Sequence, residues 1–304
     1  VDLEISNFDN QQKELTISRF PWQTTLFSSI NLLKESRYIV NSKGGLFSDT
    51  KHYLNHYCNM VGARGNIIQN RSNGGVIYQD CTDRLLKEEM SYQADRIISD
   101  LNKLLSAPLC PDFVGYLVLP PDQMYIQIHE SIGHPLELDR ILGDERNYAG
   151  GSFIKKEDFG NLRYGPEIMN VVFDPGFERM PATQMFDDTG EKTKKLYLIK
   201  DGILQAGIGG VESQKRLNVS GSISTRSCDW NRPSIDRMGN INLAPGNSTF
   251  KEIIGNVENG LLVHTNNSWS IDDQRDKFQF GCEIGQVIKD GELREVVRNP
   301  NYEG

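Results

Sequence analysis

The chain has 304 residues, 38% apolar and 24% charged, long enough for two domains of ordinary size and outside the composition of disordered chains. Its 33 Lys and Arg stand against 41 Asp and Glu, and the net charge of −8, with no basic stripe, argues against nucleic acid as a partner. No apolar run approaches the ~20 residues that cross a bilayer, so no membrane partner is expected either.

The start of the chain, at Val1, has neither the basic nor the apolar region of a signal peptide. The five cysteines (Cys58, Cys81, Cys110, Cys228, Cys282) are widely spaced, odd in number and without a CxxC pair. That usage fits reduced thiols, and the expected compartment is the cytoplasm.

Residues 1–80 read as short β segments and loops, with patterned stretches at Glu14–Ser18, Tyr38–Val40 and Gly75–Tyr78. Leu86, Met90, Ala94, Ile97, Leu101 and Leu104 recur at spacings of three and four, which predicts a helix from about Arg84 to Ala107, stopped by Pro108. A boundary is placed at Pro108–Asp112. Phe113 to Leu119 reads as a buried strand ended by Pro120-Pro121, and Asp122 as the N-cap of a helix from Gln123.

Beyond residue 150 the texture turns to strands, glycines and turns. Asp201-Gly202 and Asp290-Gly291 each divide two strand-like runs and predict hairpins. A further helix is expected over Phe250–Glu258, with Thr249 and Glu252 in capping-box spacing and Gly260 just past its end. The fold class is α+β in two domains, the second mainly antiparallel β.

The chemistry lies in Ile126-Gln-Ile-His-Glu-Ser-Ile-Gly-His-Pro-Leu-Glu-Leu-Asp139, which contains H-E-x-x-x-H. Imidazole is a good zinc ligand, and a Glu beside the first His can take a proton from an activated water. Spacing of i and i+5 leaves His129 and His134 about 140° apart on a regular helix. A π-type turn would bring them together. Pro135 has no N–H and its ring clashes with the carbonyl of Ser131, while Gly133 eases the backbone, so a π-bulge or break is predicted between Ser131 and Pro135.

His52, His56 and Cys58 read as surface or packing residues of a strand, and His264 receives no role. Gly207-Ile-Gly-Gly210 lacks the Lys-Ser/Thr of a phosphate loop.

Around the motif, His129-Glu-Ser-Ile-Gly-His-Pro-Leu-Glu-Leu-Asp-Arg140 and Tyr148-Ala-Gly-Gly-Ser-Phe153 resemble the active-site helix and following loop of the TldD/PmbA family of metallopeptidases, also called modulators of DNA gyrase. Further likenesses follow in family order: Phe186-Asp-Asp-Thr-Gly-Glu191, Leu198-Ile-Lys-Asp-Gly202, Arg232-Pro-Ser-Ile-Asp-Arg-Met238, Asn242-Leu243 and the Lys277–Glu292 hairpin. Upstream, Asn70-Arg-Ser-Asn-Gly-Gly75 also fits.

The resemblance implies a partial N-terminal α+β domain over residues 1–110. It also implies a C-terminal metallopeptidase domain over 111–304, with the zinc-motif helix packed on its antiparallel β structure. His129 and His134 would hold Zn2+ and Glu130 would act as general base on unfolded, extended peptides. Subunits would pair as a homodimer or as a heterodimer with a PmbA-like subunit. The family's third zinc ligand, a cysteine, is expected beyond Gly304, and the sequence is expected to be shortened at both ends. Cys228 and Cys282 are poor substitutes for it. Glu137 and Asp139 have better placement for a ligand and an equal claim to be solvated charges. The alternative to a peptidase is a non-catalytic peptide- or partner-binding subunit with an incomplete metal site.

Overall fold

A computed structural model describes residues 22–42, 44–79 and 87–304. The expected strand at Glu14–Ser18, Cys81, and the first residues of the expected helix lie outside them.

Strands β1 (Gln23–Val40) and β2 (Leu46–Arg64) form one long antiparallel hairpin, in unbroken register from Gln23↔Ala63 to Val40↔Leu46. Sequence reading gave short segments here, because Asn31, Lys34 and Glu35 interrupt the apolar alternation. The chain continues nonetheless, since Gln23–Val40 contains no Gly or Pro to stop it.

Strand β3 (Ile67–Ser72) pairs with the root of β2, and β4 (Val76–Gln79) with its middle. Helix α1 (Lys87–Leu104) lies on this sheet. Of its predicted stripe, Ala94, Ile97, Leu101 and Leu104 are buried, and Ile97 and Leu101 pack with Ile98, Leu105, Cys58 and Met60; Leu86 and the side chain of Met90 lie outside the described part of the chain.

After Pro108 the chain runs beside the segment ending at Arg298, with Cys110 N–H donating to Arg298 O at 3.0 Å. Strand β5 (Tyr116–Val118) then joins a second sheet made chiefly by β14 (Asn259–Ile271), β15 (Phe278–Lys289), β16 (Glu292–Arg298) and β17 (Asn301–Glu303). All pairings there are antiparallel except β5 with β14. The apolar run at 113–119 is therefore an edge strand rather than a buried one: Val114 is 99% and Tyr116 64% exposed. Among the described residues it has a neighbour on one side only, so its apolar composition does not translate into burial.

In the chain between β5 and β14, a third sheet forms from β6 (Val171–Phe173), β7 (Leu196–Lys200), β8 (Ile203–Leu204) and β13 (Ile241–Leu243), in the order β13-β6-β7-β8. Short pairs β9 (Gly207–Ile208) with β10 (Gly221–Ser222), and β11 (Thr225–Arg226) with β12 (Ile235–Asp236), extend this region. Its core joins Val171, Phe173, Leu198, Ile199, Leu204 and Ile208 to Ile132 and Leu136, in and beside the H-E-x-x-x-H segment.

Both predicted hairpin turns are present, with φ of 51° and 74° at Asp201-Gly202 and 53° and 74° at Asp290-Gly291, the signs a type I′ turn demands. The late helix spans Phe250–Gly255 and carries the expected Thr249–Glu252 capping box. Gly260 belongs to β14 rather than to the helix end.

Candidate metal centre

Helix α2 (Pro121–Ile128) begins two residues earlier than expected, with Pro120 as N-cap and Pro121 in its first turn. Asp122 is thus free to reach sideways. Its carboxylate accepts the Thr265 hydroxyl at 3.0 Å and lies 3.1 Å from His264 Nδ1, tying α2 to β14. Tyr302 of β17 accepts from Gln123 and donates to Gln127, each at 3.0 Å, and so holds the other side.

At His129 the helix widens into the predicted π-turn. Residues His129–Gly133 form it, and the His134 N–H closes it onto His129 O. A 3₁₀ turn over His134–Leu136 follows, with Pro135 inside it. The two imidazole centroids end 4.6 Å apart and nearly perpendicular.

Gly133 has φ −60°, ordinary helical backbone, so its absent side chain is not used to relieve strain. A Cβ there would sit 1.8 Å from the Met238 sulfur, which packs over it. The turn is also fastened from outside. Tyr164 donates its hydroxyl to Ser131 O at 2.6 Å, the carbonyl to which Pro135 can return no N–H, and Ser152 donates to Pro135 O at 2.7 Å.

The metal-binding atoms of His129, Glu130 and His134 all lie within 4.8 Å of one another, the one such group among the described residues. His129 retains solvent access, yet the protein packed about the ring disfavours an imidazolium and His134 adds repulsion. Its pKa is lowered to about 4, so the ring is neutral and able to ligate at pH 7.

Glu137 corrects the sequence reading. It is fully buried rather than solvated, and it faces His134 Nδ1 at 2.9 Å, Arg140 Nε at 2.5 Å and the Met238 N–H at 3.1 Å. Burial alone would raise its carboxyl, but His134 and Arg140 hold it below the ordinary range. A carboxylate at Nδ1 requires the proton there and leaves Nε2 of His134 for a metal.

Asp139 is buried too. It exchanges hydrogen bonds with Asp236: each carboxylate accepts the other's backbone N–H, at 3.0 and 3.1 Å. Burial, then the Asp236 charge, push its pKa up to about 7.

A residue that sequence reading missed completes the picture. Arg275, in the turn between β14 and β15, places Nη1 2.5 Å from Glu130 Oε2 and donates Nη2 to Ala149 O at 3.2 Å. The turn bearing it is pinned to the Gly-Gly loop after the motif, where Gly151 N–H donates to Asp273 O and Phe153 N–H to Gln274 O. Gly150 (φ 81°) permits this approach, since a Cβ would lie 2.6 Å from Asp273 O.

The cysteines considered as ligands stay apart. Cys228 is exposed, and Cys282 is a buried thiol of β15 whose pKa burial pushes up to about 12. His52 and His56 lie on β2 and join no metal-binding group among the described residues.

Two close imidazoles, one backed by a carboxylate, with a second carboxylate beside them, are a donor set whose chemistry would suit a zinc ion. Residues 116–304 match the model of the PmbA/TldA metallopeptidase C-terminal domain, and the chain belongs to the PmbA/TldD family.

A metalloprotease of Methanothermobacter thermautotrophicus is 25% identical over 283 residues, covering 92% of this chain and 59% of that protein. A zinc metalloprotease, a TldD homologue of Saccharolobus solfataricus, is 23% identical over 232 residues, 72% of this chain and 49% of its own length. The chain thus spans about half the length of these curated relatives. Among solved structures, a putative modulator of DNA gyrase from Bacteroides thetaiotaomicron superposes with a TM-score of 0.79 at 14% identity, over 100% of this chain and 64% of that one. At that identity the likeness speaks for the fold. No helix among the described residues is long and apolar enough to cross a membrane.

Proposed function

We propose that this chain carries the active centre of a zinc peptidase acting on extended, unfolded peptides. The observation that carries the reading is the π-turn, which sets His129 and His134 side by side with Glu130 between them in sequence. His129 and His134 would hold the ion, and Glu137 would fix the tautomer and aim of His134. Zinc, when bound, supplies a Lewis acid for a water and for the scissile carbonyl. Glu130 accepts the water's proton and passes it to the departing amine. An edge strand such as β5, paired on one side only, supports recognition of peptide backbone with little side-chain selectivity.

The fuller reading follows the family. Residues 1–110 would be the partial partner domain to the catalytic 111–304, and subunits would pair, either as copies or with a PmbA-like subunit. The compartment would be the cytoplasm, in keeping with four described cysteines that form no disulfide. A non-catalytic subunit remains the rival reading. It is favoured by one observation: with Glu130 as base, only two protein ligands converge among the described residues.

Elemental analysis of the purified chain tests the centre, with about one zinc expected per chain and His134→Ala losing it. Casein digestion tests the chemistry, with Glu130→Gln expected to retain zinc and lose cleavage. Zinc without cleavage in the unaltered chain would favour the rival.

A further inference from the structure

We infer that Arg275 is a positioning residue for Glu130, holding one carboxylate oxygen so that the other faces the reacting water; the inference rests on the peptidase reading above. Its Nη1 lies 2.5 Å from Glu130 Oε2, and no other ion pair reaches Glu130 among the described residues. Oε1 takes no hydrogen bond from any described residue. The carboxylate is therefore divided: one oxygen is fixed by protein, and its twin is left to accept a proton.

The guanidinium is itself immobilised. Its Nη2 donates to Ala149 O at 3.2 Å, so rotation about the side chain's end is blocked. The backbone beneath it is built for the purpose. Arg275 has φ 65°, the left-handed region that a long L side chain rarely adopts. The Asp272 carboxylate compensates by accepting the N–H groups of Gln274, Asp276 and Lys277, at 3.1, 2.8 and 2.8 Å. Strain held in place by surrounding bonds is a mark of functional turns.

A purely structural role explains less. A buried ion pair gains little stability over apolar packing, and this one sits beside two candidate metal ligands rather than in a core. Glu130, 4% exposed, would without Arg275 be a buried charge with no fixed orientation.

The test is a cycle of Arg275→Gln, Arg275→Lys, Glu130→Gln and the Arg275→Gln/Glu130→Gln double variant, each loaded with zinc. Arg275→Gln should lower kcat on a peptide substrate about 100-fold with little change in KM, a penalty typical of a misplaced catalytic group. Arg275→Lys should recover part of the loss. Within the Glu130→Gln background, Arg275→Gln should cause no further loss. Zinc content, and the absorption spectrum of the cobalt-substituted protein, should not change, because neither residue is a ligand.

Multiplicative losses in the double variant, a KM rise at constant kcat, or loss of zinc in Arg275→Gln would each overturn the assignment. Thermal unfolding of the four metal-free proteins reads the pair without catalysis: the double variant should lose less than the two singles together, and additive midpoints would overturn it. Absence of cleavage by the unaltered zinc-loaded chain would strike the peptidase reading instead, and is seen before any variant is made.

Discussion

Single side chains show what residue type can and cannot disclose. The convergence of His129, Glu130 and His134 is legible because ligand chemistry is confined to few residue types and their spacing is distinctive. Glu137 and Asp139 are not, since a carboxylate three or five residues past a histidine looks the same whether solvated or buried. Only the tertiary neighbours, Arg140, Met238 and Asp236, decide it. Arg275 was invisible for a different reason: it lies in a charged turn, Asp272–Lys277, far along the chain, where an arginine is ordinarily solvated.

Asp139 yields a pH prediction at this scale. Its folded pKa of about 7 lies above the unfolded carboxyl value near ~3.9, so the native state binds the proton more tightly. Below the unfolded value the group is protonated in both states and its contribution is fully present. As pH rises from about 4 through about 7 that contribution is lost, and Asp236, also raised by burial, acts in the same sense. Urea midpoints measured across this range should fall less in Asp139→Asn than in the unaltered chain. Parallel curves would show that the buried carboxyl pair does not titrate as described.

At the scale of elements, local chemistry was the reliable guide. Asp-Gly turns, the Thr249–Glu252 cap and the described part of the α1 stripe depend on neighbours within a few residues, and all three formed. The π-turn was also read from a local signal, Pro135, which can return no N–H to Ser131 O. The length of β1 and β2, and the exposure of β5, depend instead on which strands become neighbours, which no short window contains.

The π-turn also has a tertiary fastening that can be tested. Replacing Tyr164 by Phe removes the hydroxyl on Ser131 O and keeps the ring against Phe153. Zinc affinity, read by competition with a chelator, should weaken about 10-fold, the lower end of losses for outer partners of a metal site. The thermal midpoint of the metal-free chain should move far less. Unchanged affinity would mean that the turn holds its shape without the tyrosine.

For the whole molecule, the order of family motifs along the chain was legible, but the joint between its sheets was not. Arg71 of β3, 1% exposed, donates to Glu283 of β15 at 2.8 Å and to Thr265 of β14 at 2.7 Å, and lies 3.3 Å from Asp100 of α1. Glu283 in turn accepts the Ser72 N–H and hydroxyl at 2.8 and 2.6 Å. The Asn70-Arg-Ser segment, noticed only as a family likeness, thus anchors the first sheet to the second. Arg71→Met should destabilise the chain by about 3 kcal/mol in urea unfolding, because it strands Glu283 as a buried charge. The Arg71→Met/Glu283→Gln pair should recover part of that, and a harmless single substitution would show that the joint lies elsewhere.

The carbonyl of Ala149 receives both Arg140 and Arg275. Through Glu137, the first arginine steadies His134, the proposed metal ligand; the second reaches Glu130. On the peptidase reading, gripping an ion and moving a proton would therefore share a single pivot. Any displacement of the loop at Ala149, whether by sequence drift or by a neighbouring molecule pressing on it, would reach both at once, so affinity for the ion and speed of turnover would change together instead of being tuned one at a time.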